Sequence, residues 1–166
     1  MILKLPLILE TRRNHALEHA TIHMLSAKYP DRHLAGHSNP TGFFILGNVT
    51  TDDLKAAIGE ALTRLRAGES ELAIHAGCGT NFATTVLLAG GMAWFPLSGA
   101  KSMRRRFWLL PFAVAFGLLG FVLSQPLGPI LQAKVTTEAD MGNLQVEDII
   151  PLRKNGVAVH RVITRS

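Results

Sequence analysis

Apolar residues are concentrated in the middle of this chain, and polar residues dominate on both sides. The runs 82–98 and 107–124 are each about 17 to 18 uncharged residues long, which is at the short end of what crosses the hydrocarbon core of a bilayer. The short basic segment 101–106 joins them. The pattern predicts a two-helix transmembrane hairpin. The alternative, a buried hairpin in a soluble protein, is disfavoured because the rest of the chain is too small to cover both helices.

Before this hairpin the pattern predicts a helix, a loop and a strand. Residues 10–27 contain neither Gly nor Pro and are rich in Ala, Leu and Glu, which predicts a helix that Pro30 ends. The turn-rich segment 30–42 is predicted to be a loop. The apolar run 42–49 is predicted to be a strand.

A second helix is predicted to begin at Thr51 as its cap, because Asp52 and Asp53 then lie in the first turn, at the positive end of the helix dipole. Gly68 closes this helix, and 71–75 is predicted to be another strand. Apolar residues recur at helical spacing and give the helix one apolar face, formed by Leu54, Ala57, Ile58, Ala61, Leu62 and Leu65.

The C-terminal segment predicts a β-hairpin. The runs 145–152 and 157–164 flank Asn155-Gly156, and Asn-Gly between two β-branched runs is a strong signal for a tight turn. The fold class is therefore α+β, with helices packed on a small antiparallel sheet, interrupted by the transmembrane hairpin. The predicted parts are a metal-binding α+β part at 1–80, the transmembrane hairpin at 81–125, and a C-terminal β-hairpin that completes the sheet at 126–166.

Charge and cysteine content narrow the classes of function. The net charge is +5, but the basic residues cluster only at 101–106, beside apolar runs, where they set membrane orientation rather than bind nucleic acid. The single cysteine excludes an internal disulfide. The segment 1–10 lacks a long apolar region and a cleavage site, so no signal peptide is predicted. We expect a multi-pass protein of the plasma membrane with both termini in the cytoplasm, although a basic loop by itself favours the opposite orientation.

The predicted first helix carries the order His15-Ala16-Leu17-Glu18-His19. Two histidines four positions apart lie on one helical face, so both imidazoles can reach one ion at about 2.0–2.1 Å. Glu18 lies at the edge of the same helical face, where it can accept a proton. The order H-x-x-E-H is the inverted zincin pattern. The alternative is a solvated polar face with an incidental carboxylate.

A metal site needs a third ligand, and the sequence offers several. Cys78 lies between Gly77 and Gly79, so its backbone can bend, and a thiolate is a good ligand for zinc or iron. The alternative for Cys78 is a small apolar residue at the membrane entry. The other candidates are His23, His33, His37, His75 and His160.

The segment from His15 to Cys78 resembles the metal-binding half of S-ribosylhomocysteine lyase, the enzyme that makes the autoinducer-2 precursor. That family has an H-x-x-E-H helix, a Thr-Gly-aromatic-aromatic strand, an amphipathic helix and a Cys-Gly. The corresponding segments are, in the same order, His15 to His19, Thr41-Gly42-Phe43-Phe44, the helix near 52–67 and Cys78-Gly79. The chain also resembles a group of small bacterial membrane proteins with an N-H-A-L-E-H helix and a C-G-T-N segment.

The lyase resemblance implies helices on one face of an antiparallel sheet, as in the pitrilysin-type metalloproteases. It implies His15, His19 and Cys78 as ligands and Glu18 as an acid or base. The chain departs from the family at Asn39, which stands at about the place of a catalytic cysteine. Nothing before His15 corresponds to the family's N-terminal strands. These departures argue against the lyase reaction and leave the metal site intact.

The expected function is that of a membrane-anchored metal-binding protein, a metal-dependent hydrolase or lyase with Glu18 as its catalytic residue. Zn²⁺ or Fe²⁺ is the expected cofactor. The expected partners are the lipid bilayer and a small-molecule or peptide substrate, with a homodimer left open. The alternatives are a non-catalytic metal-stabilised scaffold or assembly factor, and an interaction module without metal. The candidate outer-shell residues are His23, His37, Asn39 and His75.

Overall fold

The computed structural model describes residues 2–154 and 157–166, so the predicted turn at Asn155-Gly156 lies outside the described residues. The chain divides into two compact units. The first unit comprises Met1–His75 and Ala133–Ser166, and the second comprises Ala76–Gln132. The elements of the first unit are a 3-10 turn Ile2–Lys4, α1 Pro6–Lys28, β1 Ala35–Asn39, β2 Gly42–Leu46, α2 Thr51–Arg66, a 3-10 turn Ser70–Ala73, β3 Gln145–Lys154 and β4 Val157–Arg165.

Four antiparallel strands form the sheet, in the order β1-β2-β4-β3. The C-terminal hairpin therefore completes a sheet that the N-terminal hairpin begins, with Phe43 opposite Val162 and Ile45 opposite His160. Since paired residues share a face, these four side chains all lie on one side of the sheet, where each is buried. That face belongs to one core with α1 and α2, which confirms the α+β class and the antiparallel sheet.

The first helix is longer than the predicted 10–27. It begins at Pro6, whose missing N–H costs nothing in the first turn. It ends at Lys28, just before Tyr29 and Pro30, as predicted. Ala16, Leu17 and Ala20 are fully buried, so the middle of α1 packs tightly in the core.

The second helix has the predicted apolar face, since all six apolar positions are buried or half-buried. Its cap differs from the prediction by one residue. Thr50 is the N-cap and its hydroxyl accepts a hydrogen bond from the backbone N–H of Asp53, whereas Thr51 is the first helical residue. Gly68, with φ of +97°, follows the helix end as predicted.

Two local predictions were wrong. The segment 30–42, predicted as a loop, contains the strand β1, because its main chain pairs with the apolar strand β2 although its own residues are small and polar. The segment 71–75, predicted as a strand, instead forms the 3-10 turn Ser70–Ala73. Its backbone hydrogen bonds join residues three positions apart, from Leu72 N–H to Glu69 O and from Ile74 N–H to Glu71 O.

The second unit is a helical hairpin of α3 Gly79–Ser98 and α4 Met103–Leu131. The Thr85 and Ser124 hydroxyls, one from each helix, lie 2.9 Å apart. By length and composition, one helix of the described chain, Met103–Thr136, could cross a membrane. The expected pair of spans thus reduces to one span candidate, since the first turn of α3 contains the polar Thr80 and Asn81.

Candidate metal centre

Helix α1 holds His15 and His19 on one face, one turn apart. Their ring centroids are 4.3 Å apart, with the rings edge to face. His19 is 2% exposed, whereas His15 is half-buried. The i, i+4 spacing therefore places two imidazoles side by side at the surface of the core, as the sequence predicts.

Each of these imidazoles is held by a backbone carbonyl. His15 Nδ1 lies 2.9 Å from Thr136 O, and His19 Nδ1 lies 2.7 Å from Ala73 O. Because a carbonyl oxygen can only accept, each Nδ1 carries the proton, and in the neutral ring the lone pair is at Nε2. Metal-binding histidines are oriented by this kind of hydrogen bond.

Cys78 is the N-cap residue of α3 and is 7% exposed. Cys78 lies in the second unit, whereas His15 and His19 lie in the first. Two imidazoles and one thiolate are a donor set that fits Zn²⁺ or Fe²⁺.

Glu18 leaves α1 towards strand β1 and is 4% exposed. The Ser38 hydroxyl donates a hydrogen bond to Glu18 Oε2. Gly36, on the same face of β1, leaves room for the carboxyl group, because a Cβ at Gly36 would overlap it. The Glu18 carboxyl group therefore packs against β1, where Ser38 binds it through a hydrogen bond and Gly36 leaves space for it.

Two more histidines extend the row of imidazoles. The His75 ring lies 5.7 Å from that of His19 and 5.1 Å from that of His23, measured between centroids. His23 Nε2 lies 2.8 Å from Ile74 O, so it donates to that carbonyl. Burial, and then the electrostatic influence of the neighbouring His19 and His23, lower the pKa of His75 below its ordinary value.

Residues 10–149 match a family described as a domain of unknown function (DUF6391). The chain belongs to this family. An uncharacterized protein of Picosynechococcus sp. is 37% identical over 159 residues, which cover 86% of this chain and 72% of that protein. No solved structure matches the chain. The DUF6391 match includes His15, His19 and Cys78 and ends inside β3.

The DUF6391 fold does not bring every candidate residue to this cluster. His37 is exposed on β1 and alternates with Gly36 and Ser38, so it lies on the opposite face of the sheet from Glu18. Asn39 shares the His37 face, and its side-chain oxygen accepts hydrogen bonds from the Thr41 backbone N–H and hydroxyl and from Arg161.

His33 and His160 also lie apart from the α1 histidines. His33 is exposed in the segment between α1 and β1. His160 is buried in β4, where its Nε2 lies 3.2 Å from the Thr51 hydroxyl. Burial lowers the pKa of His160. Neither histidine therefore joins the pair formed by His15 and His19 in this DUF6391 protein.

Sequence reasoning missed Ser38 and the two carbonyl acceptors of the metal centre. The alternation of Gly36 and Ser38 is a strand signal, but it lies in a polar segment that reads as a loop. No side-chain type identifies the acceptors at Ala73 and Thr136, because both act through the main chain.

Proposed function

We propose that this DUF6391 protein is a membrane-anchored metalloprotein in which His15, His19 and Cys78 hold one Zn²⁺ or Fe²⁺. The observation that carries the proposal is the pair of Nδ1 hydrogen bonds to backbone carbonyls. They set both rings in the tautomer whose Nε2 can bind a metal. The donor types of the three residues, two imidazoles and one thiolate, support the same conclusion.

The exposed apolar surface of the second unit supports a bilayer as its surroundings. Leu87, Trp94 and Trp108 are 75%, 67% and 70% exposed, and only 17% of the apolar window of the span candidate is buried. Soluble monomers rarely expose so much contiguous apolar surface. The proposed location is the plasma membrane.

The sheet supports two crossings rather than one. Because β2 and β4 are neighbours in one sheet, the segments before and after the helical hairpin lie on the same side of any membrane. A chain that returns to its starting side crosses an even number of times. If α4 spans the bilayer, α3 therefore spans it too, and the 20 residues of α3 reach about 30 Å as a helix.

The proposed chemistry is hydrolysis of an ester or amide, or a lyase reaction that begins with a proton transfer. A bound Zn²⁺ or Fe²⁺ would supply Lewis acidity to the substrate. Glu18 accepts a proton from the attacking water or from the substrate and returns it to the leaving group. The Ser38 hydroxyl orients Glu18 through its hydrogen bond to Oε2.

The metal content of the purified full-length protein tests the site. We expect about one Zn²⁺ or Fe²⁺ per chain, and a loss of at least tenfold in metal affinity in His19→Ala and in Cys78→Ser, because each variant removes a ligand. His37→Ala is the matched control, since His37 is exposed on the other face of the sheet. Elemental analysis after dialysis measures all four proteins. Stoichiometric metal in both ligand variants would end the proposal.

A Glu18→Gln variant separates catalysis from a structural role. We expect it to keep its metal and fold but to hydrolyse aryl-ester and anilide test substrates about 10²- to 10⁴-fold more slowly, because the proton acceptor is lost. The readouts are turnover by absorbance and bound metal on the same samples. Turnover equal to that of the wild type would exclude Glu18 as the catalytic residue.

A non-catalytic, metal-stabilised scaffold is the second candidate function. It is favoured by Asn39, which stands where the lyase family has a catalytic cysteine and whose side chain is used in hydrogen bonds to Thr41 and Arg161. This function predicts metal in the wild type, no turnover with any test substrate, and a melting temperature that falls when a chelator removes the ion.

A further inference from the structure

The loop that joins α3 to α4 carries a positive charge that nothing in its own unit balances. Its basic residues are Lys101, Arg104, Arg105 and Arg106, which we call the basic loop, and all four are exposed. They are the only charged residues in 76–132, because this segment contains no Asp, Glu or His. Among the ion pairs of the described residues, none includes a member of the basic loop. The hairpin thus presents four uncompensated cations at one end.

The charges of the basic loop do not stabilise the hairpin itself. The three arginines follow directly on Met103, the first residue of α4, and cations in a first turn are repelled by the positive end of the helix dipole. That turn contains no acidic residue to offset them. The cap of α4 is uncharged, since the Ser102 hydroxyl accepts a hydrogen bond from the backbone N–H of Arg105. Cations that repel one another on the surface indicate an anionic partner outside the chain.

The two tryptophans of the chain indicate how deep this loop lies in a bilayer. Trp94 is four residues before the end of α3 at Ser98, and Trp108 is five residues after the start of α4 at Met103. At 1.5 Å per residue, both rings lie about 6–8 Å along their helices from the loop. Both are exposed, by 67% and 70%. Tryptophan is enriched where a bilayer meets water, so the basic loop, one layer further out, lies among the lipid headgroups.

The arrangement of the arginines favours a layer of anions over one bound ion. Arg104, Arg105 and Arg106 are consecutive, so their side chains leave the helix about 100° apart. One compact anion cannot contact all three, whereas the headgroups of a bilayer surround the helix. Guanidinium groups bind phosphate oxygens through charge-assisted hydrogen bonds. In a zwitterionic headgroup an ammonium group offsets the phosphate, so lipids with a net negative charge are favoured.

We propose that the basic loop binds the headgroups of anionic phospholipids in preference to those of zwitterionic phospholipids. This inference rests on the proposed location in the membrane and is independent of the metal centre. The loop recognises headgroup charge, so the inference does not depend on which leaflet the loop faces. Its basic residues are then lipid ligands, which accounts for a basic loop on the side of the membrane opposite to the proposed cytoplasmic termini.

Quenching of tryptophan fluorescence by brominated lipids tests this inference. The full-length protein carries Trp94→Phe, so that only Trp108, one helical turn from Arg104, emits. It is reconstituted into phosphatidylcholine vesicles that contain increasing fractions of phosphatidylglycerol or phosphatidylcholine brominated near the acyl carbonyl. We expect the phosphatidylglycerol to bind beside Trp108 about fivefold more tightly, as the attraction of one arginine for an anionic surface predicts. The preference should fall below about twofold in 1 M salt, where the Debye length is about 3 Å.

Two triple variants complete the test. Replacing Arg104, Arg105 and Arg106 by glutamine should remove most of the preference, whereas replacing all three by lysine should preserve it, because the charge is kept. Equal quenching by the two lipids, or a preference that salt does not weaken, overturns the inference even if the glutamine variant does not insert. Loss of the preference on adding millimolar glycerol phosphate or an RNA oligonucleotide at constant ionic strength would instead identify a soluble ligand. Quenching by neither lipid would refute the membrane location itself, which distinguishes the two failures.

Discussion

At the scale of single residues, Asp53 joins the C-terminal end of α1 to the N-terminal end of α2. Its carboxylate accepts hydrogen bonds from the Lys28 ammonium and the Tyr29 hydroxyl. The Lys28 bond, followed by those from Tyr29 and Thr50, holds the pKa of Asp53 well below its usual range. In turn, the Asp53 carboxylate raises the pKa of Lys28 and of Tyr29. The two helices are thus joined by one ionised group.

This link makes the stability of the first unit depend on pH. A carboxyl group whose pKa is lowered by folding stabilises the folded state fully above its unfolded-state pKa of about 4, and the stabilisation is lost as the pH falls towards the folded-state pKa. We therefore expect Asp53→Asn to lower the melting temperature at pH 7, and the difference from wild type to shrink below about pH 4. Thermal unfolding followed by circular dichroism measures this, with Asp52→Asn as the exposed control. A difference of the same size at pH 7 and pH 2 would contradict the explanation.

At the scale of elements, the backbones of α3 and α4 approach closely at Gly120. A Cβ there would lie 2.6 Å from Leu88 O and 2.9 Å from Ala89 Cα, which are backbone atoms that cannot move aside. By contrast, a Cβ at Gly90 would meet nothing within 4 Å. Small residues at such crossings are what allows two apolar helices to pack closely in a bilayer.

We expect Gly120→Ala to destabilise the helical hairpin by about 1–3 kcal/mol, because the added methyl group forces the two backbones apart. Gly90→Ala should be neutral or slightly stabilising, since alanine favours the helix more than glycine does. Unfolding in mixed detergent micelles, followed by the fluorescence of Trp94 and Trp108, compares the variants. Equal effects at the two positions would show that the close approach at Gly120 does not stabilise the hairpin.

The sequence predicts those elements that are determined by the spacing of residues within a single helix or strand. The helical spacing of Leu54 to Leu65 predicts the buried face of α2, and the spacing of His15 and His19 predicts the paired imidazoles. Strand β1 could not be predicted in this way. Its residues are small and polar and have a low strand propensity, and it forms a strand because its main chain pairs with β2. The carbonyl acceptors at Ala73 and Thr136 lie 54 and 121 positions from their histidines, so only the complete fold brings them into place.

At the scale of the whole molecule, if the helical hairpin crosses a bilayer as proposed, the pairing of β2 with β4 puts the segments before and after it on one side. We expect a fluorescent protein fused after Ser166 to fluoresce and an alkaline phosphatase fused there to be inactive, because both termini are proposed to be cytoplasmic. The same pair of reporters before Met1 should give the same result. Opposite results at the two ends would contradict two crossings, and active phosphatase at both ends would contradict the orientation.

The pairing of β2 with β4 also determines when the protein can fold on the ribosome. Gly42 pairs with Ile163, about 120 positions later, so at 5–20 residues per second β2 waits on the order of 10 s for its partner strand. During that interval Phe43 and Ile45 lack their neighbours Val162 and His160 on β4. The unpaired edge of β2 can then form hydrogen bonds with other nascent chains. Emergence of β4, rather than emergence of the histidine helix, is therefore the step that completes the first unit. Synthesis that stops before β4 would leave an aggregation-prone fragment.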